Sequence, residues 1–405
     1  MSRPLRILMG SIGIAGHALP ALALGRELRR RGHDVSVATS ERWRDVVEGE
    51  GMRFAAGEDE IVPPGDPEGE RASEATVSVV RGLVGTVRDL KPDVIVSDGL
   101  TLPVALAAEV EDVRHATLHP EIYPVQEPGL PPLPVGLFPP RTPLGRAAWR
   151  TVGPLLRTQL PGTRWLRAAR SSLDEIRARL ALPPSDGIDQ PVGRGLHLVA
   201  TLPQLEYPRK WPAGVHVTGP IFLDLPDGDD PTPPGSDPLV LVAPSTVKDP
   251  ERRLVRVALE ALAEEPVRTL VTTGGAGAPA LASVPANAVV VDWASFARVM
   301  PLASAVLCGG NHGTLVRALA EGAPVIVSPA LPDDAEHGAR LAWAGAGLML
   351  PWRLLTPKLL RLVARRVLGE LRFAERASEI AAWSRANDGA AAAAELIERH
   401  LGARR

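Results

Sequence analysis

Short apolar runs alternate with amphipathic stretches through the first half of the 405-residue chain. The compact runs at 5–9, 35–38 and 94–96 have the length of buried strands. The stretch 20–31 carries leucines at helical spacing, and Gly32 fits its C-terminal cap. Strands that alternate with helices in this order predict an α/β protein with a parallel, doubly wound sheet.

The alternation resumes in the second half and predicts a second doubly wound sheet. Its strand-like runs lie at 239–243, 267–271, 288–291, 305–308 and 323–328. Helical patterns follow, and they continue to the end of the chain.

The two halves are separated by residues 225–238, which are acidic, rich in proline and without apolar periodicity. That composition is typical of a linker, and 405 residues are too many for one ordinary core. The DxD pattern at 227–229 lies inside this stretch, so we interpret it as solvated linker and not as a metal site. The expected limits are an N-terminal domain at 1–212, a linker at 213–238, a C-terminal domain at 239–386 and a final helix at 387–405.

Composition and charge restrict the class of protein. Hydrophobic residues make up 45% and charged residues 23% of the chain, as in a soluble globular protein. The formal net charge of -2 argues against a nucleic-acid partner, and the single cysteine, Cys308, fits a reducing cytoplasm. The uncharged stretch 7–25 is interrupted by glycines and continues into a basic helical pattern. We therefore expect a cytoplasmic protein without stable membrane insertion.

Polar side chains follow the predicted strands at their carboxyl ends, where ligands bind in open α/β sheets. His17 follows the turn after the first strand, and Asp98 follows the run at 94–96. The second half contributes hydroxyl and amide groups, a tryptophan, a histidine and two carboxylates, at Ser245, Thr246, Thr272, Thr273, Trp293, Asn311, His312, Thr314, Asp333 and Asp334. A histidine backed by a carboxylate can activate a neutral nucleophile while a phosphorylated group leaves. A core histidine and an N-cap aspartate are the alternative interpretations.

The stretch 305–337 has a pattern that suits an anion. A strand-like run at 305–308 is followed by a glycine-rich turn at 309–313 and a helical pattern from Thr314. Backbone N–H groups in such a turn, and the helix N-terminus behind it, can hold a phosphate. An ordinary tight connection between strand and helix is the alternative. After the next strand we expect an acidic turn at Asp333, Asp334 and Glu336.

Three motifs follow one another in a fixed order along nearly the whole chain. Gly16-His17 with Pro20 matches a GHxxP motif, VIVSD at 94–98 ends in an aspartate, and residues 293–334 form a long glycine- and proline-containing segment. Together they resemble the GT-B nucleotide-sugar glycosyltransferases of family 1, which include plant UDP-glycosyltransferases and bacterial antibiotic and macrolide glycosyltransferases. The ending WAGAGLMLP at 343–351 is similar to that of actinobacterial members.

The resemblance implies two Rossmann-like domains that face each other across a cleft, with the C-terminal helix crossing back to the first domain. The N-terminal domain would bind the acceptor and the C-terminal domain the nucleotide sugar. It also implies an inverting transfer from a UDP- or dTDP-sugar to a hydroxyl group, with no metal and no cofactor besides that co-substrate. His17 would be the catalytic base and Asp98 its partner.

The resemblance places the donor sugar nucleotide against the second half of the chain. Trp293 would stack on the nucleobase, and Asp333 and Asp334 would bind sugar hydroxyls. The diphosphate would be held by Ser245, Thr246, Gly310, Asn311, His312, Gly313 and Thr314.

The chain departs from the family pattern at several donor positions. Gly309 stands where the family has a phosphate-binding histidine, and His312 is close enough in sequence to substitute for it. Phe296 and Asp334 replace glutamines, and His337 replaces an asparagine. Because a second carboxylate repels a sugar carboxylate, we expect that glucuronic acid is not the donor sugar.

The proline-rich loop 123–140 is apolar and has few hydrogen-bonding groups, which favours a hydrophobic small-molecule acceptor. The residues expected to line the acceptor pocket are His119, Tyr123 and Phe138. We expect a monomer or a homodimer. A GT-B-fold nucleotide-sugar epimerase and a non-catalytic sugar-nucleotide binding protein are the alternative functions.

Overall fold

The computed structural model of the protein describes residues 3–57, 69–125, 127–134, 136–159, 172–184, 195–225, 231–244, 249, 252–274 and 284–402. These residues form two parallel sheets, each covered by helices on both faces. The expectation of two doubly wound α/β domains is confirmed.

The first sheet has seven strands, which are β1 (Arg6–Gly10), β2 (Asp34–Thr39), β3 (Arg53–Ala56), β4 (Val94–Asp98), β5 (His115–His119), β6 (Leu196–Val199) and β7 (Val215–Val217). Their spatial order is β3-β2-β1-β4-β5-β6-β7, and all neighbours are parallel. The helices of this half are α1 (Ala15–Arg30), α2 (Arg44–Gly49), α3 (Gly69–Leu90), α4 (Leu102–Val110), α5 (Pro143–Gln159) and α6 (172–179). The strand order reverses between β1 and β4, so their carboxyl ends border the crevice in which ligands bind.

The second sheet has six strands, which are β8 (Leu239–Ala243), β9 (Arg268–Thr272), β10 (Ala288–Val291), β11 (Ala303–Cys308), β12 (Val325–Val327) and β13 (Gly347–Met349). Their order is β10-β9-β8-β11-β12-β13, again with all neighbours parallel. The remaining helices are α7 (Arg253–Leu262), α8 (Phe296–Val299), α9 (His312–Ala320), α10 (Pro332–Ala344), α11 (Pro357–Gly369), α12 (Leu371–Ala386) and α13 (Gly389–Gly402). Here the switch point lies between β8 and β11.

Both faces of the first sheet are buried, which explains why its strands read as nearly continuous apolar runs. Ile7 and Met9 of β1 pack on the face covered by α1 and α13. Leu8, which points the other way, packs with residues of α3 and α4. The alternation of side chains along β1 thus supplies both hydrophobic layers.

The final helix, α13, crosses back to the first domain, as expected. Its residues Ala393 and Ile397 are fully buried in the core that α1 covers. Glu398 binds two residues that follow α1, with its carboxylate oxygens 3.1 Å from Arg31 Nη1 and 2.9 Å from His33 Nε2. The helix α13 therefore packs on the first domain and is bound to it through Glu398.

Some local predictions were incomplete. The strands β3, β6, β7 and β13 were missed because they are only three or four residues long, and β3 is also partly exposed. Since β7 belongs to the first sheet, that sheet extends into the range 213–238 assigned to the linker.

The acidic turn expected after β12 is wrong, because Asp333, Asp334 and Glu336 lie in α10. Pro332 occupies a position at the start of this helix where it costs no hydrogen bond. Acidic side chains in the first turn are also favoured by the helix dipole. Among the helices of the described residues, none is long and apolar enough to cross a membrane.

Candidate active site

His17 lies in the first turn of α1, just after the loop that follows β1. Gly10 ends β1 where a Cβ would lie 2.5 Å from the side chain of Val104, so a larger residue would displace α4. The indole Nε1 of Trp43 donates to the carbonyl of Gly13 at 2.8 Å and fixes the loop. The backbone therefore delivers a buried His17 ring to the carboxyl edge of the first sheet.

His17 and Asp98 form a buried pair, with Nδ1 of the imidazole 2.8 Å from Oδ1 of the carboxylate. Asp98 is the last residue of β4, and β4 is the neighbour of β1. Its carboxylate also accepts hydrogen bonds from the Thr101 hydroxyl at 3.2 Å and from the Leu100 N–H at 3.3 Å. Because an ionised carboxylate only accepts, Nδ1 of His17 is the protonated nitrogen, and Nε2 is left to take up a proton.

A second carboxylate approaches the free nitrogen of His17. Oε1 of Glu121 lies 4.0 Å from Nε2 of His17. Burial lowers the pKa of His17, but the hydrogen bond to Asp98 and the charges of Asp98 and Glu121 outweigh it and raise this pKa above 6.5. Glu121 was not predicted as a site residue from the sequence, although its place two residues after β5 was an available signal.

His119 and Tyr123 line a small cavity beside Asp98, together with His197 of β6. His119 Nε2 is 3.1 Å from His197 Nδ1, and the two rings stack with centroids 5.4 Å apart. Burial, reinforced by the neighbouring histidines, lowers the pKa of His119 to about 3, so its ring is neutral at physiological pH. Phe138 is 56% exposed and is not one of the described residues that line this cavity.

The wall of this cavity is more polar than the apolar loop 123–140 suggests. Besides the two histidines, it includes the hydroxyl side chains of Ser97, Thr101 and Thr117. Ser97 belongs to β4, Thr117 belongs to β5, and Thr101 immediately precedes α4; none of the three was predicted as a site residue. The loop and the strands thus contribute different chemistry to the same cavity.

The glycine-rich turn of the second domain packs directly against α10. Gly310 has φ = +103°, and a Cβ there would lie 2.8 Å from the Cβ of Asp334, so both the backbone and the contact require glycine. His337 Nδ1 donates to the carbonyl of Gly310 at 2.9 Å. The structure thereby brings Asp334 to the predicted diphosphate turn.

α9 begins at this turn, with Asn311 as its N-cap residue and His312 in its first turn. The Asn311 side chain does not cap the helix, and its buried Oδ1 has no hydrogen-bond partner among the described residues. The same holds for both ring nitrogens of His312, whose pKa is lowered well below 6.5 by burial and by the charges of His337 and Arg340. Gly313 and Thr314 follow in the same turn, where N–H groups without helical partners can receive an anion.

The remaining predicted donor residues are spread along the edge of the second sheet. Trp293 follows β10 and is 70% exposed. Two strands separate β10 from β11, which places the tryptophan about 14 Å from the glycine turn at the usual strand spacing. Asp333 is partly exposed in the first turn of α10. Ser245 and Thr246 lie outside the described residues.

The described part of the chain contains no group of three or more His, Cys, Asp or Glu side chains arranged to hold a metal ion.

Comparisons with known proteins cover the whole chain. A family model described as "Erythromycin biosynthesis protein CIII-like, C-terminal domain" matches residues 256–398. The chain is 30% identical to 4'-demethylrebeccamycin synthase of Lentzea aerocolonigenes, over 97% of this chain and 99% of the relative. It is also 30% identical to O-mycaminosyltylonolide 6-deoxyallosyltransferase of Streptomyces fradiae, with 97% of each chain covered.

Solved structures share the fold at lower sequence identity. The glycotransferase of kitacinnamycin superposes with a TM-score of 0.80 at 22% identity, over 99% of this chain and all (100%) of that one. The calicheamicin glycosyltransferase CalG4 gives a TM-score of 0.73 at 23% identity over 99% of both chains. VinC, a glycosyltransferase solved in complex with dTDP, gives 0.70 at 19% identity, over 98% of this chain and 100% of that one.

Proposed function

This chain belongs to the GT-B glycosyltransferases of family 1 that include the antibiotic glycosyltransferases, and we propose that it moves a sugar from a UDP- or dTDP-sugar to a hydroxyl group of a hydrophobic small molecule, with inversion. The observation that supports this most directly is the buried His17–Asp98 pair, in which Nε2 of the imidazole is left to accept a proton. A protein that only bound a sugar nucleotide would need no such pair.

In the proposed reaction, Nε2 of His17 takes the proton of the acceptor hydroxyl as the oxygen attacks the anomeric carbon. The bond between that carbon and the diphosphate oxygen breaks on the opposite face, so the configuration at the carbon inverts. Asp98 stabilises the imidazolium that forms, and its hydrogen bond keeps the ring oriented throughout. The nucleoside diphosphate leaves with the bonding electron pair.

The leaving diphosphate would be stabilised by the N-terminus of α9 and the glycine turn before it. That end of the helix carries a partial positive charge of about half a unit, together with N–H groups directed at the ligand. For this reason we propose that the transfer needs no metal ion, so that a chelator leaves the rate unchanged. The exposed Trp293 would hold the nucleobase, about 14 Å away along the sheet edge, a span that an extended nucleotide can bridge.

The acceptor would occupy the cavity side of the first domain. The relatives are named for products or substrates that are natural products, such as rebeccamycin and tylonolide derivatives, and VinC was solved with dTDP. These names support a natural-product acceptor, and the VinC complex supports a dTDP-linked donor. Polar groups of the cavity, including His119 and His197, would receive an oxygen or nitrogen of that acceptor.

The test is a screen of UDP- and dTDP-sugars against phenolic and polycyclic acceptors, with products detected by mass. His17→Ala should reduce transfer by about 10²–10⁴-fold without loss of folding. His33→Ala is the matched control, since His33 is also a buried histidine paired with a glutamate but lies at the far end of α1. Unchanged transfer in His17→Ala would refute the role of the base.

Isomerised nucleotide sugar released without acceptor would indicate an epimerase, and tight nucleotide binding without turnover would indicate a binding protein.

A further inference from the structure

One arginine and two glutamates form a buried cluster where the two domains meet. Arg340 of α10 places Nε 2.9 Å from Oε1 of Glu336 and Nη1 2.8 Å from Oε2 of Glu206. Each of the three residues is less than a tenth exposed. Glu206 belongs to the first domain, in the segment between β6 and β7, whereas the other two belong to the second domain. We call this set the bridging cluster.

The other carboxylate oxygen of each glutamate accepts a backbone N–H of the acceptor-side loop. Oε1 of Glu206 is 3.1 Å from the nitrogen of Tyr123, and Oε2 of Glu336 is 3.0 Å from the nitrogen of Gly136. Both ends of the loop segment 123–136 are therefore hydrogen-bonded to carboxylates that share one guanidinium.

Tyr207 adds a third connection between the bridging cluster and the loop. Its ring lies under the guanidinium of Arg340, with the guanidinium carbon 4.3 Å from the ring centroid. Its hydroxyl donates to the carbonyl of Leu137 at 3.3 Å. Burial lowers the pKa of Arg340, but Glu206 and Glu336 raise it overall, so the guanidinium stays charged. A planar fork that binds two carboxylates and stacks on a ring cannot be reproduced by lysine.

The same helix reaches the donor side one turn earlier. Asp334 of α10 is in contact with Gly310, and His337 donates to the carbonyl of Gly310. A ligand that settles on the glycine turn therefore contacts a helix whose second and third turns carry Glu336 and Arg340. The helix is joined to the loop through directional hydrogen bonds, directly at Gly136 and through Arg340 and Glu206 at Tyr123.

We propose that Arg340 is a positioning residue that couples donor binding to the geometry of the acceptor wall at Tyr123 and Gly136. The inference rests on the proposed function, because it assigns the glycine turn to the donor and the loop to the acceptor. A buried ion pair adds little net stability compared with apolar residues, so stability alone does not account for this arrangement. The bridging cluster instead fixes the position of the loop 123–136 relative to the glycine turn on the other domain.

The chain offers a matched control at Arg317 of α9. It also binds a glutamate four residues on, with Nε 2.9 Å from Glu321, and a residue of another segment, with Nη1 2.7 Å from Asp224. Its guanidinium also lies over a ring, 4.7 Å from the centroid of Phe222. This arginine has similar chemistry, but among the described residues neither of its carboxylate partners hydrogen-bonds to the loop 123–137, as Glu206 and Glu336 do.

The first experiment follows amide hydrogen exchange in peptides that cover 120–137, with and without saturating UDP or dTDP. We expect the nucleotide to slow exchange there in the wild type and in Arg317→Met, and to leave it unchanged in Arg340→Lys. Lysine keeps the buried charge balance, so this variant is expected to fold, and thermal unfolding checks that. Equal slowing in Arg340→Lys, or none in the wild type, would overturn the coupling.

The second experiment measures how a donor is divided between transfer to the acceptor and hydrolysis by water. Arg340→Lys should lose about 10- to 100-fold in kcat/KM for the acceptor, because small misplacements of a reacting group have effects of that size. Its nucleotide Kd should stay within about twofold of wild type, and the hydrolysed fraction should rise. If Arg340→Lys divided the donor between transfer and hydrolysis as the wild type does, the inference would be refuted. If the nucleotide slowed amide exchange as expected but no sugar were transferred, the proposed function would be refuted and the coupling would stand. If the protein bound neither UDP nor dTDP, both would be refuted.

Discussion

Asp98→Asn tests the proposed base most sharply, because it removes one charge and almost no volume. The carboxylate oxygen lies 2.8 Å from Nδ1 of His17, and both side chains are buried. An amide cannot stabilise an imidazolium as a charge does. It can also present its NH₂ group to Nδ1, which holds the ring in the tautomer whose Nε2 already carries a proton.

The expected loss follows from this geometry. With the charge centres roughly 4 Å apart and an effective dielectric constant near 20, the imidazolium–carboxylate attraction is about 4 kcal/mol. The neutral amide retains part of it as an ordinary hydrogen bond, so about 2–4 kcal/mol of transition-state stabilisation should be lost. That corresponds to a decrease of about 30- to 1,000-fold in kcat/KM.

The assay is a pH–rate profile of kcat/KM with the best donor and acceptor pair from the screen. His17 must be neutral to accept a proton, and its pKa is raised above 6.5, so the wild-type rate should rise with pH through that raised pKa. Because the hydrogen bond and charge of Asp98 raise this pKa, the acidic limb in Asp98→Asn should move to lower pH while the plateau falls.

Thr101→Val is the control for a loss of hydrogen bonding alone. The Thr101 hydroxyl donates to Asp98 at 3.2 Å, and its removal leaves the carboxylate charge in place. Its effect should stay below about tenfold, the range of one hydrogen bond. If Asp98→Asn kept more than a tenth of the wild-type kcat/KM with the acidic limb unmoved, the assignment of Asp98 as the partner of the base would be wrong.

Three further predictions concern single contacts. Glu121→Gln should move the acidic limb to lower pH, because the Glu121 charge 4.0 Å from Nε2 raises the pKa of His17; an unmoved limb would contradict this geometry. Gly310→Ala should lower the free energy of unfolding by about 1–3 kcal/mol and weaken nucleotide binding measured by calorimetry, because φ is +103° and the new Cβ would lie 2.8 Å from the Cβ of Asp334. Unchanged stability together with unchanged nucleotide binding would refute this account of the turn. Trp293→Ala should weaken nucleotide binding by about 1–3 kcal/mol, the size of a base-stacking contact. It should leave the free energy of unfolding nearly unchanged, because the residue is 70% exposed. Unaltered nucleotide binding would show that Trp293 does not contact the nucleobase.

The two ligand sites depend on each other through α10. Its first turn contacts the glycine turn, and its second and third turns reach the acceptor-side loop through Glu336 and Arg340. A variant at the donor side is therefore expected to change acceptor kinetics as well, so each substitution should be measured against both substrates. Arg317→Met indicates how much of such an effect is due to a generic loss of a partly buried ion pair.

Local sequence pattern predicted much of the fold for a simple physical reason. A strand buried on both faces must be apolar throughout, and a helix on a sheet must repeat its apolar side chains at 3.6 residues, so most long elements are visible in the sequence. The strand β10 was predicted with the bounds that the structure has. The exceptions β3, β6, β7 and β13 are too short for a period to show, and their pairing is set by neighbours far away in the chain.

The acidic segment after β12 shows a different limit. Pro332 and three acidic side chains are as typical of a loop as of a helix start, so composition favoured a turn. The segment is helical because its buried face, including Asp334 and His337, packs against Gly310. Tertiary contact decided between two local structures that the sequence left nearly equal.

The sequence by itself determined the two alternating α/β halves and the glycine turn before α9, and it placed His17 and Asp98 at the same edge of the first sheet. Each of these depends on local pattern or on the rule that parallel strands end at one edge. Only the tertiary structure placed Glu121 near Nε2 of His17 and joined Arg340 to Glu206. Those contacts link residues 104 and 134 positions apart in the sequence, as their numbers show. No local period reports such a contact, because the first is fixed by how the strands of the first sheet pair and the second by how the two domains pack on each other.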